Sequence, residues 1–294
     1  MKILTWQNPE QLFVAQELIN KVKSKCCGIK VELSLSSIIL ALGLTLVAGL
    51  STGLGSLMSF FAKAQNTKFL STALGFSAGV MVYISFLDLM PGAVDDLAAD
   101  FGSSAGLIAT IAFFAGIAMI ALIDFFIPDD ENPHQNHGTI GDEKGPNMHR
   151  TGLMLALAIG VHNFPEGLAT FAAALEGLEF AIPIVVAIAI HNIPEGIAVS
   201  VPIYHSTGNR AKALRFSLLS GLAEPVGALF GALFLLPFWS PMVSALLMAF
   251  VAGIMVYISF DELLPNSERF GHHHFAMSGV VAGMAVMAIS LLIL

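Results

Sequence analysis

Eight stretches of this chain are apolar over a length that can cross a lipid bilayer, and this feature limits the fold more than any other. A membrane-spanning helix needs about 20 apolar residues at a rise of about 1.5 Å per residue. The stretches cover residues 36–61, 69–90, 104–127, 151–174, 181–203, 213–237, 242–264 and 275–294. A composition of 56% apolar and 12% charged residues, with a mean hydropathy of +0.80, excludes a soluble domain. The sequence therefore predicts an all-α integral membrane protein with eight transmembrane helices.

The chain divides into two predicted parts. Residues 1–34 form an N-terminal extension, and residues 35–294 form the predicted eight-helix transmembrane domain. Residues 128–150 are the longest link, and their polar, proline-containing sequence predicts a loop that carries histidines. The first thirty residues contain Lys, Glu and Gln in place of the uninterrupted apolar core of a signal peptide. Membrane insertion is therefore assigned to the spans themselves.

Charge and cysteine content argue against two classes of function. The formal net charge is -8, whereas binding to nucleic acid requires clusters of Lys and Arg. The two cysteines, Cys26 and Cys27, are adjacent, which is too strained for an ordinary disulfide and lacks the C-x-x-C spacing of a metal site. Neither nucleic acid binding nor cysteine chemistry is expected.

An internal repeat relates the first part of the chain to the last. Phe76-Ser-Ala-Gly-Val-Met-Val-Tyr-Ile-Ser-Phe86 matches Phe250-Val-Ala-Gly-Ile-Met-Val-Tyr-Ile-Ser-Phe260, 174 positions later. Weaker matches relate the first span to the sixth and the third span to the eighth. Repeats that lie five spans apart run in opposite directions through the membrane, as in many secondary carriers. The fourth and fifth spans lie between the two triplets.

The basic residues indicate the orientation of the spans, because cytoplasmic loops are enriched in Lys and Arg. The links after spans two, four and six contain none of these residues. The links after the odd-numbered spans contain Lys63, Lys68, Lys144, Arg150, Arg210, Lys212, Arg215 and Arg269. These links are predicted to be cytoplasmic, and both termini to lie outside, on the periplasmic side of the inner membrane. Lysines in the N-terminal extension would favour a cytoplasmic N-terminus and so oppose this orientation. The links give the clearer contrast, with eight basic residues on one side and none on the other.

The fourth and fifth spans each carry the same polar motif near their centre. His162-Asn-Phe-Pro-Glu-Gly167 recurs as His191-Asn-Ile-Pro-Glu-Gly196, 29 positions later. On a helix, the His, Asn and Glu of one motif share a face because they are three or four residues apart. Imidazole nitrogen together with carboxylate oxygen suits borderline ions such as Zn²⁺. The motifs predict a transition-metal site formed by His162, Asn163, Glu166, His191, Asn192 and Glu195.

A third acidic residue, Glu224, lies in the sixth span, where its repeat mate in the first span is Thr52. An ionised side chain at the bilayer centre costs about 2.5 to 3.5 kcal/mol, so three bare glutamates would cost roughly 9 kcal/mol. Two divalent ions, or one divalent ion and a proton, would neutralise them. Pro165 and Pro194 each remove a backbone donor, which predicts an interrupted helix that lines a cavity.

The motif pair, the eight spans and the histidine-bearing link after the third span resemble the ZIP family of zinc and iron permeases, in particular its bacterial ZupT-type branch. The likeness covers the chain from about residue 36 to its end, and H-N-x-P-E-G in two adjacent spans is the hallmark of that family. The resemblance implies a 3+2+3 helix bundle with a binuclear metal site. One ion would be held by His162, Glu166, His191 and Glu195. The second would be held by Asn163, Asn192 and Glu224, with Glu166 and Glu195 bridging the pair.

The resemblance also implies a function. Members of the family move Zn²⁺, and often Fe²⁺, Mn²⁺, Co²⁺ or Cd²⁺, into the cytoplasm, so transported ions are expected and no prosthetic group is. The lipid bilayer is the other expected partner, and the sequence leaves open whether the chain forms a homodimer. A metal exporter and an intramembrane metalloenzyme are the alternatives, although neither an HExxH pair nor a separate general base is evident for an enzyme.

Three acids and seven histidines outside the motifs give weaker signals. Asp88, Asp261 and Glu262 lie near the ends of predicted spans, where they are either ordinary solvated carboxylates or gate residues. The histidines fall in predicted cytoplasmic links, where they either capture exiting metal or are incidental: His134, His137, His149, His205, His272, His273 and His274.

Overall fold

The computed structural model describes residues 35–61, 67–126, 146–269 and 271–293, and nearly all of them are helical. The α-helices in this part of the chain are α1 Leu35–Phe61, α2 Thr67–Ile84, α3 Met90–Phe101, α4 Ala105–Phe126, α5 Pro146–Glu176, α6 Leu178–Thr207, α7 Arg210–Gly221, α8 Ala223–Phe230, α9 Pro241–Ile258, α10 Leu264–Glu268 and α11 His273–Ile293. The described residues contain no β-strand, in agreement with the predicted all-α class. The predicted extension 1–34, with both cysteines, lies outside them.

Six stretches of the described residues are long and apolar enough to cross a membrane. They are Ser36–Phe60, Thr67–Phe125, Leu178–Tyr204, Arg210–Phe238, Pro241–Glu268 and His273–Ile293. Large apolar side chains face outward, such as Leu107 at 65% and Leu292 at 86% exposure, whereas many His, Asn, Glu, Ser and Thr side chains are buried. Lipid cannot satisfy polar side chains, so a protein in a bilayer exposes apolar residues and buries polar ones. The chain is therefore a multi-pass membrane protein.

The second predicted span is longer than its hydropathy indicated. α2 continues through a π-helical turn, Ser85–Leu89, into α3 and ends at Phe101 rather than at residue 90. The chain then reverses at Gly102, whose φ of 51° is reached readily by glycine. Asp88, predicted to lie near a span end, is instead within this long helix.

The motif-bearing helices differ from the prediction at their prolines. α5 runs unbroken through Pro165, and α6 runs through Pro183, Pro194 and Pro202. The predicted interruption is wrong, because a missing donor removes one backbone hydrogen bond while those on either side maintain the helix. α5 also begins at Pro146, a favoured residue for the first helical position, so the predicted loop 128–150 ends earlier than expected. Residues 127–145 lie outside the described part.

The helix boundaries reproduce the internal repeat. α2 and α9 begin and end 174 positions apart, 67 against 241 and 84 against 258. Each is followed by a π-helical turn at the same offset, Ser85–Leu89 and Ser259–Leu263. Such turns are rare and occur frequently at functional sites. The two halves therefore share local backbone geometry as well as residues.

Small residues let helices of the two repeats approach closely. A Cβ at Gly79 of α2 would overlap the carbonyl oxygen of Val280 on α11, and a Cβ at Gly253 of α9 would overlap that of Phe113 on α4. Gly79 and Gly253 are repeat mates. The second span of each repeat thus packs against the third span of the other, in the close approach that small residues allow between membrane helices.

The helices form two groups that meet around α5 and α6. The first group contains α1, α5, α6, α7 and α8, and the second contains α2, α3, α4, α9, α10 and α11. α2 and α11 contact α6, and α9 contacts α5. The two motif-bearing helices therefore belong to the first group and also pack against the second.

Candidate metal site

The two motifs lie on adjacent helices and face a common buried region. The six motif side chains are at most 1% exposed: His162, Asn163 and Glu166 on α5, and His191, Asn192 and Glu195 on α6. Because spacings of three and four residues place each set on one helix face, and because α5 packs on α6, the sets meet inside the protein.

Each motif histidine pairs with the glutamate of the other helix. His162 Nε2 lies 3.3 Å from Glu195 Oε2, and His191 Nε2 lies 3.1 Å from Glu166 Oε1. The motif spacing predicts a shared face on each helix, and the packing of α5 on α6 adds the crossed pairing. The four side chains that the resemblance assigns to one ion therefore form two close pairs.

The two asparagines are held by backbone carbonyls at equivalent positions. Asn163 Nδ2 donates to the carbonyl of Ser220 at 3.2 Å, and Asn192 Nδ2 donates to that of Ala48 at 3.1 Å. Oδ1 of each asparagine then has no hydrogen-bond partner among the described residues. Buried oxygens without a donor are uncommon in proteins. These two oxygens are available to a cation.

Glu224 reaches the same region from the first turn of α8. Its side chain is buried, Asn192 Nδ2 donates to its Oε1, and its Oε2 has no hydrogen-bond partner in the described structure. The motif glycines allow this approach. A Cβ at Gly167 would overlap the carbonyl oxygen of Glu224, and a Cβ at Gly196 would overlap that of Thr52, the repeat mate of Glu224. Helix packing therefore explains why each motif ends in glycine.

Ser77 is a residue of this region that the motifs do not indicate. From α2, its buried Oγ donates to Glu195 Oε1 at 2.9 Å. The second helix group thus contacts the motif carboxylates directly. Val251 is the residue that corresponds to Ser77 in the second repeat. This replacement of an aliphatic side chain by a hydroxyl is the sequence signal that could have revealed the role of Ser77.

Glu262 lies beside the motifs and not in solvent. It is buried in the π-helical turn Ser259–Leu263, and its Oε2 lies 3.6 Å from His162 Nδ1. This distance is too long for a direct hydrogen bond, and the two groups form an ion pair only when His162 is protonated. The interpretation of Glu262 as a solvated carboxylate is therefore wrong. Its repeat mate Asp88, in the other π-helical turn, and its neighbour Asp261 are only partly buried.

The remaining histidines lie at helix ends or outside the described residues. His272 Nε2 is 3.0 Å from Thr67 Oγ1, and His273 Nδ1 is 2.8 Å from Glu268 Oε1. The ring of His274 contacts that of His273 edge to face, with centroids 5.6 Å apart. A role in metal capture stays a prediction, since His134, His137 and the side chains of His149 and His205 are not among the described parts.

The chemistry of the region suits a cation. In the described part of the chain, no group of three or more His, Cys, Asp or Glu side chains lies close enough together to hold a metal ion as the side chains stand. The region consists of two His–Glu pairs, two asparagine oxygens and two further carboxylates. His162 Nδ1, His191 Nδ1 and Glu166 Oε2 have no hydrogen-bond partner within the described residues. Nitrogen and oxygen ligands of this kind fit borderline divalent ions.

Buried ionisable side chains on adjacent membrane helices mark substrate and ion pathways. The fold and the site together therefore define a multi-pass membrane transporter of cations.

Comparison with known proteins identifies the family. The profile of the family described as "ZIP Zinc transporter" matches residues 126–291. Three similar proteins bear the name "Zinc transporter ZupT". The one from Clostridium perfringens is 50% identical over 88% of this chain and 98% of its own length. The one from Akkermansia muciniphila is 53% identical over 89% of this chain and 100% of its own length. The one from Streptococcus mutans is 54% identical over 85% of this chain and 96% of its own length.

The chain therefore belongs to the ZIP zinc transporter family, whose members are transporters and not enzymes. The resemblance drawn from the two H-N-x-P-E-G motifs is confirmed.

Proposed function

We propose that this protein carries divalent transition-metal ions across the membrane, with Zn²⁺ as its principal substrate. The observation that carries the proposal is the crossed contact of His162 with Glu195 and of His191 with Glu166, buried between two membrane helices. The names of the similar proteins support the choice of zinc. Fe²⁺, Mn²⁺, Co²⁺ and Cd²⁺ are proposed as further substrates, because nitrogen and oxygen ligands also suit them.

The site is proposed to bind two ions. His162, Glu166, His191 and Glu195 bind the first, and Asn163, Asn192 and Glu224 bind the second, with Glu166 and Glu195 bridging. The unpartnered oxygens of both asparagines and of Glu224 support this arrangement. Four buried carboxylates, those of Glu166, Glu195, Glu224 and Glu262, carry four negative charges when ionised. Two divalent ions would balance them.

The transmembrane domain, residues 35–294, is proposed to contain eight spans in a 3+2+3 order. The 59-residue stretch Thr67–Phe125 includes the reversal at Gly102, so it supplies two spans. α5, with 31 residues, supplies one more. Together with the other five apolar stretches this makes eight, and α5 and α6 lie between the two triplets.

The odd-numbered links are proposed to face the cytoplasm. Arg210 lies over the rings of Phe60 and Tyr204, so the ends of α1 and α6 meet the start of α7. Lys68 lies over the ring of Phe275, so the first turns of α2 and α11 also lie next to each other. Basic residues concentrate at these ends, and the cytoplasmic surface is the one enriched in them. Both termini then lie outside. Import through the inner membrane is the proposed direction of transport.

The test is uptake of ⁶⁵Zn²⁺ into proteoliposomes. We expect Glu166→Ala and His191→Ala each to lower the initial rate at least about tenfold, because even residues that only support metal ligands contribute 10- to 100-fold. Asp95→Ala, which removes an exposed acid from α3, is the matched control and should retain the rate. Undiminished uptake by both site variants would refute the assignment.

Direction needs a separate measurement. Vesicles with a single protein orientation, loaded or bathed with ⁶⁵Zn²⁺, distinguish entry from exit. Movement only from the proposed cytoplasmic face to the outside would identify an exporter, whatever the outcome for the site variants.

A further inference from the structure

A groove separate from the motif face of α5 lies between the two helix groups. It has a volume of about 720 Å³ and is lined mainly by apolar side chains of α4, α5 and α7, among them Ile123, Leu157, Phe164, Phe216 and Leu219. Leu157 and Leu219 are 55% and 63% exposed, so the groove opens to the surroundings and not to the core. We call it the α4–α7 groove.

One end of this groove is basic. A second cavity of about 430 Å³ shares Phe216 and Leu219 with the groove and is also lined by Asn209, Lys212 and Arg215. Among the described residues, no ion pair engages Lys212 or Arg215. Both charges are therefore available to an anion that comes from outside the chain.

The groove has the length of one membrane leaflet. Its lining on α5 extends from Leu153 to Pro165, which corresponds to about 18 Å along a helix. Half of a hydrocarbon core about 30 Å thick is about 15 Å. Pro165 belongs to the mid-membrane motif, whereas Ala156, near Leu153, lies in the same buried cluster as Ala213 of α7. The groove therefore runs from the middle of the bilayer to the surface where α7 begins.

We propose that the α4–α7 groove binds one anionic phospholipid. An acyl chain fills the apolar groove, and the headgroup phosphate contacts Lys212 and Arg215. Basic pockets between membrane helices bind acidic headgroups in this way. Such binding requires only that the helices are embedded in a membrane, and it does not depend on metal transport.

The position of the lipid gives it a structural role. α4 belongs to the second helix group, whereas α5 and α7 belong to the first. A bound lipid therefore contacts both groups on a face of α5 that carries Phe164 and Pro165 and not the metal-site side chains His162, Asn163 and Glu166. It links the packing of the two groups to the lipid composition of the membrane.

The test is native mass spectrometry of the full chain, delipidated in detergent and titrated with phosphatidylglycerol or phosphatidylcholine of identical acyl chains. We expect one phosphatidylglycerol to bind with a preference of roughly 30-fold, because each basic residue near a membrane surface contributes a factor of about five. The double variant Lys212→Gln/Arg215→Gln should reduce this preference below about threefold. Leu157→Trp, which fills the groove, should weaken the binding of both lipids.

Lys68→Gln/Arg210→Gln is the matched control, because it removes one lysine and one arginine from outside the groove. This variant should keep the preference for phosphatidylglycerol. Equal binding of the two lipids by the unmodified chain would overturn the proposal, as would an undiminished preference in the Lys212/Arg215 variant. An equal loss in the control variant, or displacement of the lipid by soluble glycerol phosphate, would also overturn it.

Discussion

Glu262, on the π-helical turn that follows α9, lies 3.6 Å from Nδ1 of His162 on α5. On the other side of the same ring, Nε2 faces Glu195 at 3.3 Å. The imidazole is therefore held between carboxylates from two helix groups. A carboxylate on the far nitrogen of a metal-binding histidine fixes the ring orientation and the tautomer. Glu262 is the carboxylate nearest to the far nitrogen of His162, and it would do this once the two groups close from 3.6 Å to hydrogen-bonding distance.

Glu262→Gln is expected to weaken zinc binding by about 10- to 100-fold, the usual effect of losing a carboxylate that supports a histidine ligand. Asp88→Asn is the matched control, because Asp88 occupies the repeat-related π-helical turn but is only partly buried. Competition with a zinc-binding dye on purified protein measures the affinity. Equal losses in the two variants would show that the turn geometry matters and that the His162 contact does not.

Glu224→Gln is expected to reduce the number of tightly bound zinc ions from two to one. The glutamine keeps an oxygen that can accept from Asn192, so the packing of α8 is preserved while the charge is lost. Elemental analysis of the dialysed protein gives the stoichiometry. If two ions remained bound, Glu224 would be a structural residue and its assignment to the second ion would be wrong.

Ser77→Ala is expected to lower zinc affinity by about tenfold, because Glu195 loses a donor that orients it. Ser85→Ala provides the comparison within the same long helix. Its hydroxyl donates only locally, to the carbonyl of Met81 at 2.7 Å. Isothermal titration with zinc measures both variants. An unchanged affinity in Ser77→Ala would remove Ser77 from the site.

Gly167→Ala is expected to destabilise the protein by about 1–3 kcal/mol, the usual cost of overpacking. The new methyl group would overlap the carbonyl oxygen of Glu224, so α8 would be pushed away and zinc affinity would fall as well. Gly43→Ala is the control, since a Cβ at Gly43 meets no atom within 4 Å. Thermal unfolding in detergent should show a lower midpoint for Gly167→Ala alone.

The local features of the site could be predicted from the sequence. The four-residue spacing of His162 and Glu166 places them on one helix face, and hydropathy places both at mid-membrane, because helical periodicity and hydrophobicity are properties of short segments. Which glutamate each histidine meets could not be predicted in this way. The contact of His191 with Glu166 depends on how α5 packs on α6.

The residues added by the structure come from segments far away in the chain. Ser77 and Glu262 carry no motif, and they reach the site because α2 packs on α6 and α9 packs on α5. The prolines were misleading for a different reason. Pro165 and Pro194 predict a break from local geometry, whereas the remaining backbone hydrogen bonds keep both helices continuous.

The sequence by itself determined that this chain is a helical membrane protein with an internal repeat and a duplicated polar motif, because each of these properties is encoded in neighbouring residues. Only the tertiary structure decided that the two His–Glu pairs cross between helices, that Glu262 and Ser77 join them, and that an exposed apolar groove with a basic end lies between α4, α5 and α7. Those relationships depend on close packing between segments distant in sequence, and hydropathy and spacing within a single segment do not specify that packing.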